Sequence, residues 1–146
     1  MTKILQALLT GMFFTFIFDF FIFLGIQQNY IDFYNIDLYY NILFADNQNL
    51  YIFFLFSVIL GFIIIYLNND KISIAIIGFL SILAMSTLIP SVGYTVGEML
   101  FMTKNTTLKD SRYIYHGDIY YDGRKQITFY DYELKKTILL NKKDLK

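Results

Sequence analysis

Hydrophobic residues fall in long blocks along the first two thirds of this chain. Residues 4–26 form an apolar run of twenty-three with few polar interruptions. At 1.5 Å per residue such a run makes a helix of roughly 35 Å, enough to cross a bilayer with some tilt. It ends Phe23-Leu24-Gly25-Ile26-Gln27. That lacks the small-x-small exit site of a cleaved signal peptide, so the run is expected to persist as a first transmembrane helix. Residues 50–67 make a second span, interrupted only by Ser57 and Gly61, and residues 68–71 form a tight polar turn. The third run, residues 72–102, would be a helix of roughly 46 Å, longer than the ~30 Å hydrocarbon core. Pro90 divides it, so residues 72–89 are predicted to span and residues 91–102 to continue as a kinked extension at the far interface.

Between the first two spans, residues 27–49 carry Asp32, Asp37 and Asp46 and no Lys or Arg. Residues 35–42 alternate as a strand would, while Ile31, Tyr34, Leu38 and Ile42 share one helical face; periodicity leaves both open. Tyr and Phe interleaved with Asn and Asp suit the headgroup zone, which favours a short interfacial helix for this connector.

Near residue 103 the pattern shortens. Asp122-Gly123 is a hairpin turn signal flanked by residues 118–121 and 124–132, both rich in Tyr, Ile, Thr and Phe. Gly123 is expected at positive φ, closing a Tyr121/Arg124 register. Residues 137–140 read as a further strand after a turn at 133–136, and residues 112–116 as an earlier one. So small a sheet is expected to lack a core of its own and to lean on a partner or on the membrane-proximal helix. The expected fold is therefore integral membrane α-helical: three transmembrane helices, the third kinked at Pro90, with a small C-terminal antiparallel β-hairpin or meander. The chain divides into a membrane region, residues 1–103, and a β tail, residues 104–146.

Composition agrees. Only 16% of residues are charged and 56% are hydrophobic, against about 25% charged in ordinary soluble domains. A mean hydropathy of +0.48 excludes a disordered chain. Absent cysteine removes disulfides, thiolate chemistry and Cys-ligated metals. The zero net charge is uneven. Residues 1–103 hold two lysines against six acids, while residues 104–146 hold ten Lys/Arg against six acids. The tail's basic residues interleave with acids, so it lacks the stripe that nucleic-acid binding needs. Lys3 ahead of a long apolar run, and a connector free of Lys and Arg, favour a cytoplasmic N-terminus; three spans then put the tail outside the cytoplasm.

Two features invite functional readings. Asp19 lies inside the first run, where a charge at a helix centre costs about 2.5–3.5 kcal/mol. It suits an ion or proton relay, or a polar lock onto a partner helix. The plainer reading notes that it lies roughly 10 Å from the end of the run, where hydration or protonation is within reach. Pro90 followed by Gly93-x-x-x-Gly97 and Glu98 is the second: small residues four apart let helices approach closely, whereas a kinked helix end is the plainer reading. His116 with Asp118 and Asp122 lacks the ligand count of a zinc site, and no nucleophile elbow, phosphate loop or dinucleotide glycine pattern occurs. No cofactor or metal is expected. The leading expectation is a non-enzymatic accessory or scaffold subunit of a larger inner-membrane or envelope-spanning assembly. Its partners would be the bilayer and other integral membrane proteins. The alternatives are an ion- or proton-pathway subunit using Asp19, and a small membrane immunity or regulatory protein.

Overall fold

An apolar stretch without proline winds into one helix, α1 (Lys3–Ile26), which runs on into a π turn (Gln27–Ile31). There the backbone bonds lengthen by one residue, with Asp32 N–H donating to Gln27 O and Ile36 N–H to Ile31 O, both at 3.0 Å. Asn35 then takes a left-handed conformation (φ 52°), tolerated by its short polar side chain, and ends the helical path. The computed structural model describes residues 2–67 and 69–145. Four further helices follow: α2 (Tyr40–Asn47), α3 (Leu50–Tyr66), α4 (Asp70–Ser86) and α5 (Pro90–Phe101). The connector helix thus starts at Tyr40, and residues 36–39 before it carry neither helix nor strand.

The starts of α3 and α4 are written in asparagines. Asn49 Oδ1 accepts from Tyr51 N–H at 3.0 Å and Ile52 N–H at 3.2 Å, and Asn69 Oδ1 accepts from Ile72 N–H at 3.4 Å. Proline opens α5 at its first position, where the missing N–H has no intrahelical partner to lose. The expected kink at Pro90 is larger than a kink: α4 and α5 are separate helices at 83° to each other, joined by a turn in which Ile89 N–H donates to Ser86 O. A matching bend of 82° separates α2 from α3.

Helix α1 is the hub. Gly11 and Gly61 let α1 and α3 touch backbone to backbone; a methyl on Gly11 would fall 1.8 Å from the Ser57 carbonyl oxygen. Phe18, Leu60 and Ala84 bury the point where α1, α3 and α4 meet, but α3 and α4 scarcely touch each other. Among the described residues, the continuous helix Lys3–Ile31 alone is long and apolar enough to cross a membrane by itself. The pairs α2 with α3 and α4 with α5 pass the same test only when each bent pair is taken together, giving one to three candidate spans.

Four strands complete the fold: β1 (Thr103–Lys109), β2 (Ile114–Asp122), β3 (Gln126–Asp131) and β4 (Lys136–Asn141), an antiparallel meander in the order β1-β2-β3-β4. The sheet does bury a core of its own. It curls until Asp110, just past β1, bridges Leu145, just past β4. Phe129, with no exposed surface, then packs with Ile127 and Leu140, and Leu108, Tyr115, Ile119, Ile138 and Leu145 close around them.

The turn also differs from expectation. Asp122 pairs with Ile127 and Tyr121 with Thr128, so four residues, 123–126, separate the last paired positions, and no glycine has positive φ. This connection, across which Gly123 N–H donates to Gln126 O at 3.0 Å, spreads the reversal over more backbone than a two-residue turn, and Gly123 has no need of the left-handed region.

Candidate functional site

The sheet meets the helices through a pair of adjacent tyrosines. Opposite Ile119 and Thr128 the ladder shifts register, Ile119 facing Phe129 and Tyr121 facing Thr128, so that Tyr120 is the extra residue of a bulge. Ile119 points into the sheet's own core, whereas the bulge turns both Tyr120 and Tyr121 towards the helices. Tyr121 is 5% exposed and enters a cluster with Phe23, Ile26, Tyr30, Ile31, Ile36 and Leu43. Asn47 Nδ2 donates to its hydroxyl at 3.2 Å, and Phe101 meets its ring edge to face at 5.4 Å. Tyr120 lies over the Tyr34 ring at 3.9 Å, stacks on Tyr130 at 5.9 Å, and gives its carbonyl to the hydroxyl of the wholly buried Tyr30 at 2.8 Å. Tyr34 and Tyr94 share a hydroxyl hydrogen bond of 2.5 Å.

Charge secures the edge of this junction. The Arg124 guanidinium forks onto the Asp46 carboxylate, with Nε donating to Oδ2 at 2.7 Å and the second bond from Nη2 to Oδ1. Asp46 is largely covered and Arg124 largely exposed. Burial raises the Tyr34 hydroxyl above the usual phenol value, and the hydroxyl and nearby charge of Tyr94 raise it further. Burial does the same for Tyr120, with Asp118 adding to it, and for Tyr121, where the Asn47 bond pulls the other way. At the sheet's rim the Tyr132 hydroxyl donates to Asp118 Oδ1 at 2.5 Å, and that bond, ahead of burial, holds the phenol proton on.

The residues singled out from sequence are scattered around this junction. Glu98 pairs with Lys104, joining α5 to β1 and raising the Lys104 ammonium. Gly93 and Gly97 are both taken up inside the chain. A methyl on Gly93 would fall 2.2 Å from Thr87 O, and one on Gly97 2.4 Å from Tyr30 Cβ. Pro90 starts α5, and Asn29 Nδ2 bonds the freed Thr87 and Leu88 carbonyls ahead of it at 3.0 and 3.3 Å. Asp122 pairs with Lys142 at 2.6 Å beside Gly123. His116 Nδ1 bonds Thr107 Oγ1 at 2.9 Å. Among the described residues, no three His, Asp or Glu side chains gather as metal ligands.

Asp19 stands apart, and its neighbours define its height. Gln48 Nε2, at the head of α3, donates to Asp19 Oδ2 at 3.0 Å. The Tyr40 hydroxyl reaches Phe20 O at 3.1 Å, and Thr87 Oγ1, at the foot of α4, reaches Phe21 O at 3.1 Å. Asp19 is therefore level with the ends of α3 and α4, and α1 continues past them by about twelve residues, roughly 18 Å. Beside Asp19, a cavity of about 420 Å³ opens between α3 and α4, with Thr15, Phe18 and Thr87 in its wall.

Sequence reasoning missed Tyr30, Tyr34, Asn47, Asp46, Arg124 and the Tyr120-Tyr121 pair as a working set. The signals were there: Tyr30 and Tyr34 are one helical turn apart, and the tyrosine doublet just before a turn breaks the strand's alternation. No protein-family model, curated protein or solved structure matches this chain.

Proposed function

We propose that this chain is a three-span membrane protein that serves as a non-enzymatic accessory or scaffold subunit, holding its sheet as a docking platform above one membrane surface. The spans are residues 3–19 of α1 together with α3 and α4. Helices α3 and α4 are 17 residues each, about 25 Å long, short enough to match a thin hydrocarbon core. Asp19 then lies at the boundary, where the cost of a carboxylate falls well below its value at the bilayer centre. Helices α2 and α5 bend away there and lie along the surface, with exposed Met99 and Leu100 of α5 facing lipid. By parity the connector and the sheet share one side, and the Lys3 start puts that side outside the cytoplasm.

The observation that carries this reading is the clamp between sheet and helix ends. Tyr121, Tyr30–Tyr120 and Arg124–Asp46 hold the sheet against the helix ends, which supports a platform role. At the sheet's far end, Tyr113, Ile114 and Leu134 are more than half exposed and form the docking edge of this reading.

Purification from native membranes in mild detergent tests it. The chain should emerge in a stoichiometric complex, and Ile114→Asp with Leu134→Asp should strip the partner while leaving the chain inserted. A wild-type chain that emerges alone overturns the subunit reading. A reporter active only outside the cytoplasm should work at the C-terminal end and be silent in residues 68–71; the reverse pattern overturns the orientation. Ion coupling at Asp19 remains the second reading, favoured by Thr15 and Thr87 sharing its cavity. An Asp19→Asn chain that assembles fully yet loses function would select it.

A further inference from the structure

The cavity beside Asp19 has the size and chemistry of a lipid site. Because α3 and α4 both pack on α1 and scarcely on each other, they leave a groove open sideways between them. Phe18, Phe53, Phe56, Leu80, Leu83 and Ala84 line most of it. Thr15 is 4% exposed, lies in its wall, and its Oγ1 has no hydrogen-bond partner among the described residues. A helical threonine ordinarily turns its hydroxyl onto the carbonyl one turn back. A buried hydroxyl left unpaired costs free energy unless a ligand completes it. At the groove's upper end Asp19 takes one bond, on Oδ2 from the neutral Gln48, and no cation of the described residues pairs with it.

Chemistry decides between occupants. The cavity of about 420 Å³ is apolar over most of its wall, with one carboxylate, Asp19, and one hydroxyl unpaired among the described residues, Thr15, a helical turn apart on α1. An acyl chain suits the apolar wall, and a cationic headgroup suits the unpaired Asp19 oxygen. We propose that the groove holds one phospholipid with a primary ammonium headgroup: an acyl chain lies along the aromatic wall, and the ammonium donates to the free Asp19 Oδ1. A glycerol-level oxygen accepts from Thr15 Oγ1. A primary ammonium has hydrogens to give a carboxylate and a trimethylated one has none, so the site discriminates phosphatidylethanolamine from phosphatidylcholine of the same chains. This rests on the membrane reading above, because the groove opens to lipid only if α3 and α4 span.

The test uses the full chain in bilayer discs of equimolar phosphatidylethanolamine, phosphatidylcholine and phosphatidylglycerol, extracted into mild detergent and weighed by native mass spectrometry. One phosphatidylethanolamine should remain per chain, preferred over phosphatidylcholine by about tenfold, the ratio one charge-assisted hydrogen bond supplies. Asp19→Asn should bring the two headgroups to within about twofold. Leu83→Trp, at a half-exposed groove position, should fill the space and lower retention of every lipid. Equal retention of the two headgroups, a preference that survives Asp19→Asn, or full retention in Leu83→Trp each overturns the proposal. So does a dimer mass with lipid excluded. Failure of the membrane reading looks different: the chain would then be washed from vesicles by alkaline carbonate before any lipid is counted.

Discussion

Replacing Tyr121 with alanine strikes the junction where it is most covered. The ring is 5% exposed and touches helices α1, α2 and α5 through one apolar cluster. Large-to-small aromatic truncations in such places cost about 3–5 kcal/mol. Within that total, the edge-to-face contact with Phe101 accounts for about 0.5–1.5 kcal/mol. The long bond from Asn47 lies near the low end of the range for neutral pairs, about 0.5 kcal/mol. Tyr121→Phe should therefore cost about 0.5 kcal/mol and Tyr121→Ala about 3–4 kcal/mol, nearly all of it in docking. The sheet keeps Phe129 and its own cluster on the other face. Hydrogen exchange on the full chain in bilayer discs separates the two. In Tyr121→Ala the α2 amides, Leu43 among them, should exchange roughly two to three orders of magnitude faster, while β3 amides change by less than about tenfold. If α2 and β3 accelerate by the same factor, the two cores are one cooperative unit and the reasoning fails. If α2 does not respond, the ring does not hold the junction.

The same junction should loosen in base. Tyr34, Tyr120 and Tyr121 have folded-state values raised above the free phenol's ~10, so their contribution is complete below about pH 10 and declines as pH rises towards the folded values. α2 exchange that stays flat while tyrosinate absorbance climbs would contradict this. A double-mutant cycle on Arg124→Ala and Asp46→Ala should return a small favourable coupling, weakened by salt because Arg124 is exposed; a coupling independent of salt would show that the pair is not electrostatic in origin. Gly117→Ala should disrupt the sheet, since the new methyl falls 1.8 Å from Tyr130 O, whereas Gly123→Ala meets the Gln126 backbone oxygen at 2.9 Å, so it also displaces backbone but by less and should cost less. Thermal melts that rank the two the other way would show that the turn, and not the β2–β3 crossing, limits the sheet.

What could be read from the sequence was whatever depends on local chemistry. Pro90 marked a break and the apolar blocks marked helices, because proline's missing N–H and periodicity act within a turn or two. Strand β1 escaped notice because Thr103–Lys109 carries one large apolar residue, Leu108, and its extended shape comes from pairing with β2. A run of apolar residues does not state where along it Asp19 meets its neighbours. Its level is set by Gln48 and Thr87, 29 and 68 residues away along the chain. The Gly93 and Gly97 spacing does not say whose helix comes near; here it is α1's own π turn, through Asn29 and Tyr30.

The continuity of α1 has a mechanical consequence. Its 29-residue rod, Lys3–Ile31, carries backbone bonding from one end of the bundle to the underside of the sheet without a joint. The other two paths are bent, one between α2 and α3 and one between α4 and α5, both at the level of Asp19. A bent path resists a sideways load less than a straight rod, so a load on the sheet would arrive at α1 as torque. A lean of about 10° in a rod of about 43 Å moves its top by roughly 7 Å. The same lean would shift α1 against α3 along their close glycine contact, so displacement of the sheet would be felt as strain between those two helices.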